Sequence, residues 1–388
     1  MSLGSVDIAP RRTTARIGAL DGLRGLSIAA VVAYHVAPNG VFTGGFLGVS
    51  VFFTVSGFLI TRNLLSESES KGQISVTKFW ARRIRRLAPA SFVVVAACCI
   101  AAAAGIQWIS FHLGRDGILA ILGLSNWQTL HDVRQFGVLA SLGPFGAMWS
   151  LAVEEQFYFV VACLFWAFAR CRVKVVWLAA LFGAIWLWGI SGSFIANDAL
   201  AARYRTDLRA SEIAVGALWA IFISQKPDLV SSIGRRRDMI SLVCLVAAVA
   251  VFTTISSTTA GLWRGEIPLL ALVWLGVIQG IGLVPEVDTL IGRVLSFGPL
   301  RWLGKISYSL YLVHWPVIVA FTPQRFHAST NVTRVVSIVV SVILAGVLQR
   351  FVEQPPQRWR VSDRHTYLAW AGGVATFVVV FGFARLVA

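Results

Sequence analysis

Eleven apolar windows of about 20 residues follow one another along this chain, and few folds can house them. A bilayer core is about 30 Å thick, and a helix rising about 1.5 Å per residue needs ~20 apolar residues to cross it. The windows lie near 19–37, 45–65, 87–106, 147–169, 175–195, 206–224, 239–257, 267–285, 303–322, 332–352 and 366–385. Hydrocarbon offers peptide groups no hydrogen bonds, so only helices and closed barrels span it, and windows this long argue for helices. Composition agrees: 57% of the 388 residues are hydrophobic and 13% are charged, where a soluble protein carries about 25% charged. The expected fold class is all-α, a polytopic transmembrane bundle of about eleven spans.

Charge orients the bundle. A further stretch, 115–130, is short and carries Asn126 and Gln128. If it does not span, most of the 34 Lys and Arg fall on one side of the membrane. They include Arg11/Arg12/Arg16, Arg82–Arg86, Arg170/Arg172/Lys174, Arg235–Arg237 and Arg358/Arg360/Arg364. If it spanned, every later basic cluster would face outward, against the positive-inside rule. Residues 107–146 therefore read as an external or re-entrant segment, with the N-terminus cytoplasmic and the C-terminus outside. The net charge of +16 is then a topology signal, with basic loops on anionic lipid, and no nucleic-acid partner is expected. The expected division is a cytoplasmic tail over 1–16, a membrane domain over 17–360 and an extra C-terminal transmembrane helix within 361–388. The first window is long, holds Asp21 and Arg24 and is followed at once by another, so it does not read as a cleaved leader. No internal repeat stands out. Cys98, Cys99, Cys163, Cys171 and Cys244 lie in or beside apolar windows without ligand spacing. They read as buried small hydrophobes, and no metal site is expected.

Ionisable groups inside such windows are costly and point to a polar pathway. Arg24 and His35 share the first window. Eleven helical steps of about 100° return His35 to within roughly 20° of Arg24, ~16 Å further along. Arg24 and Asp21 then lie toward the cytoplasm and His35 toward the outside. Glu154 and Glu155 sit about two turns into the fourth window, at a depth expected to match His35. Asp207, Arg209 and Glu212 open the sixth. The cytoplasmic level also collects Arg82, Arg83, Arg85 and Arg86 before the third span, Lys305 and Tyr308 at the ninth, and Glu353 at the end of the tenth. One end reads as an anion site and the other as an acid–base site.

Blander readings stand beside these. An intramembrane His is often only an interhelical hydrogen-bonding group, and an arginine cluster often only anchors lipid phosphates. His314, beside Trp315-Pro316, reads as a satisfied ring at a helix kink. Gly44-Gly45-Phe46-Leu47-Gly48 reads as close helix packing. Glu154 and Glu155 resist such a reading, because adjacent carboxylates in an apolar span need partners.

Taken in order, the polar segments resemble the acyltransferase-3 family of integral membrane O-acyltransferases over about residues 17–360. The segments are Leu20-Asp21-Gly22-Leu23-Arg24-Gly25 through His35, Gly45-Phe46-Leu47-Gly48-Val49 with Phe52 to Phe58, and Phe79-Trp80-Ala81 through Arg86-Leu87-Ala88-Pro89. Trp149-Ser150-Leu151 through Tyr158, Arg205 to Arg209, Tyr308 to Pro316 and Phe351-Val352-Glu353 complete them. The resemblance implies that Arg24 and His35 are the family's arginine–ten-residue–histidine motif. It implies that Arg83 and Arg86, or in a second frame Arg82 and Arg85, are its two-arginine motif, and that Glu154 is its WSL-segment glutamate.

The same resemblance implies an acyl-CoA co-substrate, no bound cofactor, and a hydroxyl acceptor, usually on a sugar. His35 is expected to be the general base and Glu154 to orient it, with Arg24, Arg83 and Arg86 holding CoA. Asp21, Arg82, Arg85, Glu155, Asp207, Arg209, Tyr308 and Glu353 are expected supporting residues. Many members carry an extracytoplasmic esterase-like domain after an eleventh span, and none is expected here. That compactness tilts the expected acceptor toward a glycosylated small molecule of macrolide type, with cell-surface polysaccharide or peptidoglycan as the alternative. The expected location is a multi-pass position in a bacterial plasma membrane. A proton-coupled transporter is the competing class, since intramembrane His, Glu and Arg also serve proton relays. Against it, no repeat relates two halves of the chain.

Overall fold

The computed structural model describes residues 18–110, 112–137, 143–226, 234–281, 289–359 and 361–387. The tail over 1–16, with Arg11, Arg12 and Arg16, lies outside these residues, as does Arg360. The principal helices are α1 (Gly18–Val36), α2 (Gly48–Lys71), α3 (Val76–Ala103), α4 (Leu113–Ile121), α5 (Ser125–Phe136), α6 (Trp149–Arg170), α7 (Val175–Ala196) and α8 (Ala199–Tyr204). They continue as α9 (Thr206–Gln225), α10 (Gly234–Thr254), α11 (Glu266–Gly280), α12 (Leu290–Leu295), α13 (Gly298–Lys305), α14 (Ser307–Ala320), α15 (Thr330–Leu348) and α16 (Asp363–Val387). No strand occurs among the described residues. The protein is an all-α membrane bundle.

Seven helices are long and apolar enough to cross a bilayer: α1, α2, α3, α6, α7, α10 and α15, with short extensions of some. The windows near 206–224, 267–285, 303–322 and 366–385 also form helices, α9, α11, α14 and α16, which fall short of that combination of length and apolarity over the described residues. Helix length and composition alone thus account for seven of the eleven windows. The stretch at 115–130 is two helices, α4 and α5, parted at Gly123 with φ +67°. Neither is long enough for a core of about 30 Å, in keeping with the non-spanning reading of 107–146.

Small residues set the closest crossings, as expected where lipid leaves van der Waals contact as the main adhesive. A Cβ at Gly57 of α2 would overlap the carbonyl oxygen of Ile213, and one at Gly216 of α9 would overlap that of Thr54. The two backbones therefore touch, and each glycine makes room for the other helix. In the same way Gly22 and Gly25 admit the backbone of Leu295 and Leu300 from the α12–α13 segment. Both glycines of the Asp21–Gly25 motif are thus packing residues, which leaves Asp21 and Arg24 to face elsewhere. Gly45 and Gly48 pack on the α1 backbone at Ala30 and Ser27, as the glycine-rich segment implied.

The hairpin between α2 and α3 carries the first basic cluster. α2 ends at Gly72 with φ +65°, a left-handed cap that suits glycine. Ser75 opens α3 by accepting a hydrogen bond from the Lys78 N–H. Arg82, Arg83, Arg85 and Arg86 are consequently helical, continuous with the third apolar window, and helical rotation sends them to different neighbours.

Candidate active site

Two chambers stand out among the described residues. The larger is about 840 Å³, and Asp21 and Arg24 of α1, Ser56 and Arg62 of α2, and Arg82, Arg83 and Arg86 of α3 line it. Glu154 and Tyr158 of α6, Lys305, Tyr308 of α14 and Glu353 also belong to its polar lining. The smaller is about 70 Å³ and is lined by His35, Phe46, Trp149, Arg203, Tyr204, Arg209, Trp263 and Trp315, among others. Along α1, α6 and α14 the lining residues step from one chamber to the other: Arg24 to His35, Glu154 to Trp149, Tyr308 to Trp315. Val49 and Tyr311 line both and form the partition.

The large chamber is cationic with embedded carboxylates. The Arg83 guanidinium lies 4.5 Å from the Tyr158 ring centroid and 5.7 Å from that of Phe79. Arg24 packs 5.9 Å over Phe52. Glu154 stands beside Tyr158 and Ser56, and Arg83 and Arg24 are its cationic neighbours. Ser56 and Tyr158 also share a short hydrogen bond with each other. Arg82 pairs with Glu67 at 3.0 Å. Tyr308 donates to the Leu87 carbonyl at 2.8 Å. Glu353 is buried in a π-helical turn, Gln349–Glu353, and accepts from Ser309 at 2.8 Å. Such turns recur at functional positions because they re-aim one side chain.

In the small chamber the two intramembrane histidines meet. His35 Nδ1 lies 3.1 Å from His314 Nε2. His314 Nδ1 lies 2.8 Å from the Tyr311 carbonyl oxygen and 3.1 Å from that of Leu310. A carbonyl only accepts, so His314 Nδ1 carries a proton. In the neutral ring Nε2 is then an acceptor, and His35 Nδ1–H donates to it. His35 is left with its Nε2 lone pair as the basic position, in a ring that lines the chamber. Trp315 packs 5.0 Å from His35, edge to face, and its Nε1 donates to the Gly143 carbonyl at 2.8 Å. The partition is also tied down: Tyr311 donates to the Ala147 carbonyl at 2.9 Å, and its oxygen lies 2.7 Å from Ser150 Oγ.

Several expectations are redrawn by this geometry. His35 and Glu154 were expected at one depth as a pair, but they occupy different chambers, and His35 pairs with His314 instead. The physical reason is the slope of α6. Its N-terminal Trp149 reaches the small chamber, and Glu154, five residues on, has already descended about 7.5 Å toward the arginines. His314 is satisfied by its own helix, as its place beside Pro316 implied, but only at Nδ1. Of the two arginine frames, Arg83 and Arg86 face the large chamber together with Arg82, whereas Arg85 turns away to Asp363 at 3.2 Å and Thr366 at 2.9 Å of α16. Asp21, Tyr308 and Glu353 line the large chamber and Arg209 the small one. Glu155 and Asp207 line neither. Glu155 packs on Gly123 between α4 and α5, and Asp207 pairs with Arg205 at 2.7 Å. Arg209 pairs with Glu212 at 3.0 Å.

Sequence reading missed Ser56, Tyr158, Tyr311, Arg203 and the partnership of His314. Tyr158 carried a usable signal, one helical turn after Glu154 and hence on its face. The histidine pair carried none, since 279 residues separate its members.

Comparison with known proteins agrees with the segments noted above. An acyltransferase domain family model matches residues 17–350. The chain is 32% identical over 356 residues to the peptidoglycan O-acetyltransferase OatA of Listeria monocytogenes, covering 87% of this chain and 55% of that protein. It is 30% identical over 369 residues to the putative peptidoglycan O-acetyltransferase YrhL of Bacillus subtilis, covering 91% and 57%. It is 29% identical over 345 residues to the O-acetyltransferase OatA of Staphylococcus aureus, covering 87% and 56%. The chain thus spans a little over half the length of these relatives. No solved structure matches it.

Proposed function

The chain belongs to the acyltransferase-3 family of membrane proteins, and from that premise we propose that it moves an acetyl group from acetyl-CoA to a hydroxyl of a cell-surface glycan such as peptidoglycan. The observation that carries this reading is the pair of chambers with a shared partition. Arginines gather in the wide one and the basic imidazole stands in the narrow one. CoA phosphates bind Arg83, Arg86 and Arg82 from the cytoplasmic side, since guanidinium groups present paired donors to phosphate oxygens. Arg24 steers the pantetheine arm upward, and the thioester reaches the Tyr311–Val49 partition.

There the acceptor hydroxyl approaches His35 from the far side. His35 Nε2 takes its proton as the oxygen attacks the thioester carbonyl. The positive charge that develops on His35 is stabilised through Nδ1–H on His314, a role carboxylates fill in other acyl-transfer sites. The Arg209 guanidinium faces the same chamber and supplies positive charge for the tetrahedral oxyanion. Collapse breaks the carbon–sulfur bond, and the imidazolium returns the proton to the leaving thiolate. Glu154, beside Tyr158 and Ser56, balances the charge of Arg24 and Arg83 and is a donor-chamber residue in this scheme.

Two points bear on the acceptor and the acyl group. The names of the relatives support a surface glycan over the macrolide-type acceptor favoured from compactness. The relatives named as O-acetyltransferases support acetyl as the group moved. The transporter reading has no counterpart among the relatives.

The test uses the full chain in nanodiscs with acetyl-CoA, following release of CoA thiol and transfer of label to soluble peptidoglycan fragments. Release stimulated by acceptor above a slow acceptor-free hydrolysis is expected, with His35→Ala lowering both by about 10³-fold at unchanged Michaelis constants. A wild-type rate in His35→Ala overturns the base assignment. Labelling of a macrolide glycoside but of no glycan fragment restores the alternative acceptor.

A further inference from the structure

Three arginines stand near the small chamber, and their charges are balanced differently. Arg205 is paired with Asp207, and Arg209 with Glu212. Arg203 has no ion-pair or hydrogen-bond partner among the described residues, and it lines the chamber beside His35. Its guanidinium lies 5.6 Å from the ring centroid of Tyr204 and 5.5 Å from that of Trp263. Aromatic faces hold a guanidinium in place without neutralising it, and they leave its N–H edge open.

The mounting of Arg203 is rigid. It sits on α8, whose first turn is capped by Asp198 accepting from the N–H groups of Leu200 at 2.8 Å and Ala201 at 3.2 Å. Asp198 is in turn paired with Arg134 of α5. Against the upward push of partial burial, Arg134 and these two N–H groups hold the Asp198 carboxyl below its usual range. At the other end of α8 the Tyr204 carbonyl accepts from Asn126 Nδ2, also of α5, at 2.9 Å. The Tyr204 ring stands edge-on to Trp149 at 5.4 Å. A side chain fixed this well keeps little entropy to lose on meeting a ligand.

We propose that Arg203 reads an anionic substituent, a carboxylate or a phosphate, on the acceptor sugar. The inference rests on the acyltransferase reading above and adds the chemical class of its acceptor. A partly exposed guanidinium that rests on aromatic rings and has no ion-pair partner among the described residues keeps its N–H edge available to an anion. A carboxylate or phosphate accepts its paired donors. Trp149 and Trp315, partly exposed and lining the same chamber, can pack against the apolar side of a sugar ring. His35 lines the same chamber and so faces a hydroxyl of the same sugar or its neighbour.

The test measures binding and turnover separately, on the full chain in nanodiscs. The chamber tryptophans report binding by fluorescence, with methyl glucuronoside, glucose 1-phosphate and neutral methyl glucoside as probes. The wild type is expected to bind at least one anionic probe about tenfold more tightly than methyl glucoside, the worth of one charge-assisted hydrogen bond. Which anionic probe wins separates carboxylate from phosphate. Arg203→Gln is expected to erase the preference, with methyl glucoside binding and acceptor-free CoA thiol release each within about twofold of wild type. Arg203→Lys, which keeps the charge, is expected to keep part of the preference.

Equal binding of all three probes by the wild type overturns the proposal without any variant. So does a fall in acceptor-free thiol release in Arg203→Gln, which would assign the residue to the oxyanion of the reaction. Wild-type protein that releases no thiol with any acceptor fails the acyltransferase reading itself, and the two failures are thereby distinct.

Discussion

The two chambers share a partition and four of their helices, yet their chemistry is opposite in kind. The larger gathers at least five cationic side chains around Glu154, Glu353 and Asp21. The smaller is walled by aromatic rings around His35 and two arginines. The proposed reading accounts for the difference by what each would hold. Several phosphate charges need many cations and room, and an imidazole that acts as a base needs few neighbours and a fixed tautomer. One bundle can meet both needs because its helices run past both levels, so a residue's position along the axis selects its chamber. The lesson is that the large chamber tolerates loss of one group among several, whereas the small one depends on single contacts.

That contrast can be broken most severely at His314. His314→Ala removes the acceptor that holds the His35 tautomer, and a fall of about 10²-fold in kcat is expected with little change in either Michaelis constant. His314→Gln, whose amide oxygen can accept from Nδ1–H, should recover part of the rate. The acid limb of the pH–rate profile should move in His314→Ala, which a merely structural defect would not cause. Steady-state kinetics across pH decide it; an unmoved limb would assign His314 to packing alone.

The next effect lies in the large chamber. Arg83→Gln with Arg86→Gln should raise the Michaelis constant for acetyl-CoA by roughly 10–100-fold and leave kcat within about threefold. Each single change should do much less, as expected where several cations share the load. If kcat fell instead while donor binding by calorimetry stayed intact, the division of labour between the chambers would be wrong.

The smallest effect is expected at Arg85, two residues from Arg83 and facing the other way. Arg85→Gln removes the contacts to Asp363 and Thr366. It should lower stability by under about 1 kcal/mol, as partly exposed ion pairs do, and leave the acetyl-CoA constant unchanged. Thermal unfolding in nanodiscs and the same kinetics check both halves. A donor defect equal to that of Arg83→Gln would reinstate the Arg82/Arg85 frame.

How much of this was legible beforehand varies by residue. Arg24 and His35 could be placed at two levels of one helix, because the rise per residue is a property of the backbone. The basic hairpin could be assigned to one end, because charge strongly biases which loops cross a membrane. Glu154 was recognisable as a buried carboxylate needing partners, but its partners were misassigned. Depth was counted from the end of an apolar window, and a helix can start a turn or more from where lipid begins. His314 was visible and undervalued, since Pro316 supplied a sufficient local reason for its setting.

The chain by itself determined an all-α membrane bundle, the glycines that let helices touch, and the separation of an arginine level from a histidine level. These follow from local quantities: hydrophobic length, charge and helical rise. Tertiary structure alone decided that His35 faces His314 and not Glu154, that Arg83 looks inward while Arg85 looks out, and that Arg203, unpaired among the described residues, shares a chamber with His35. Each of those depends on how helices rotate and slide against partners far away in sequence. That freedom is settled by packing, and no spacing along a single helix records it.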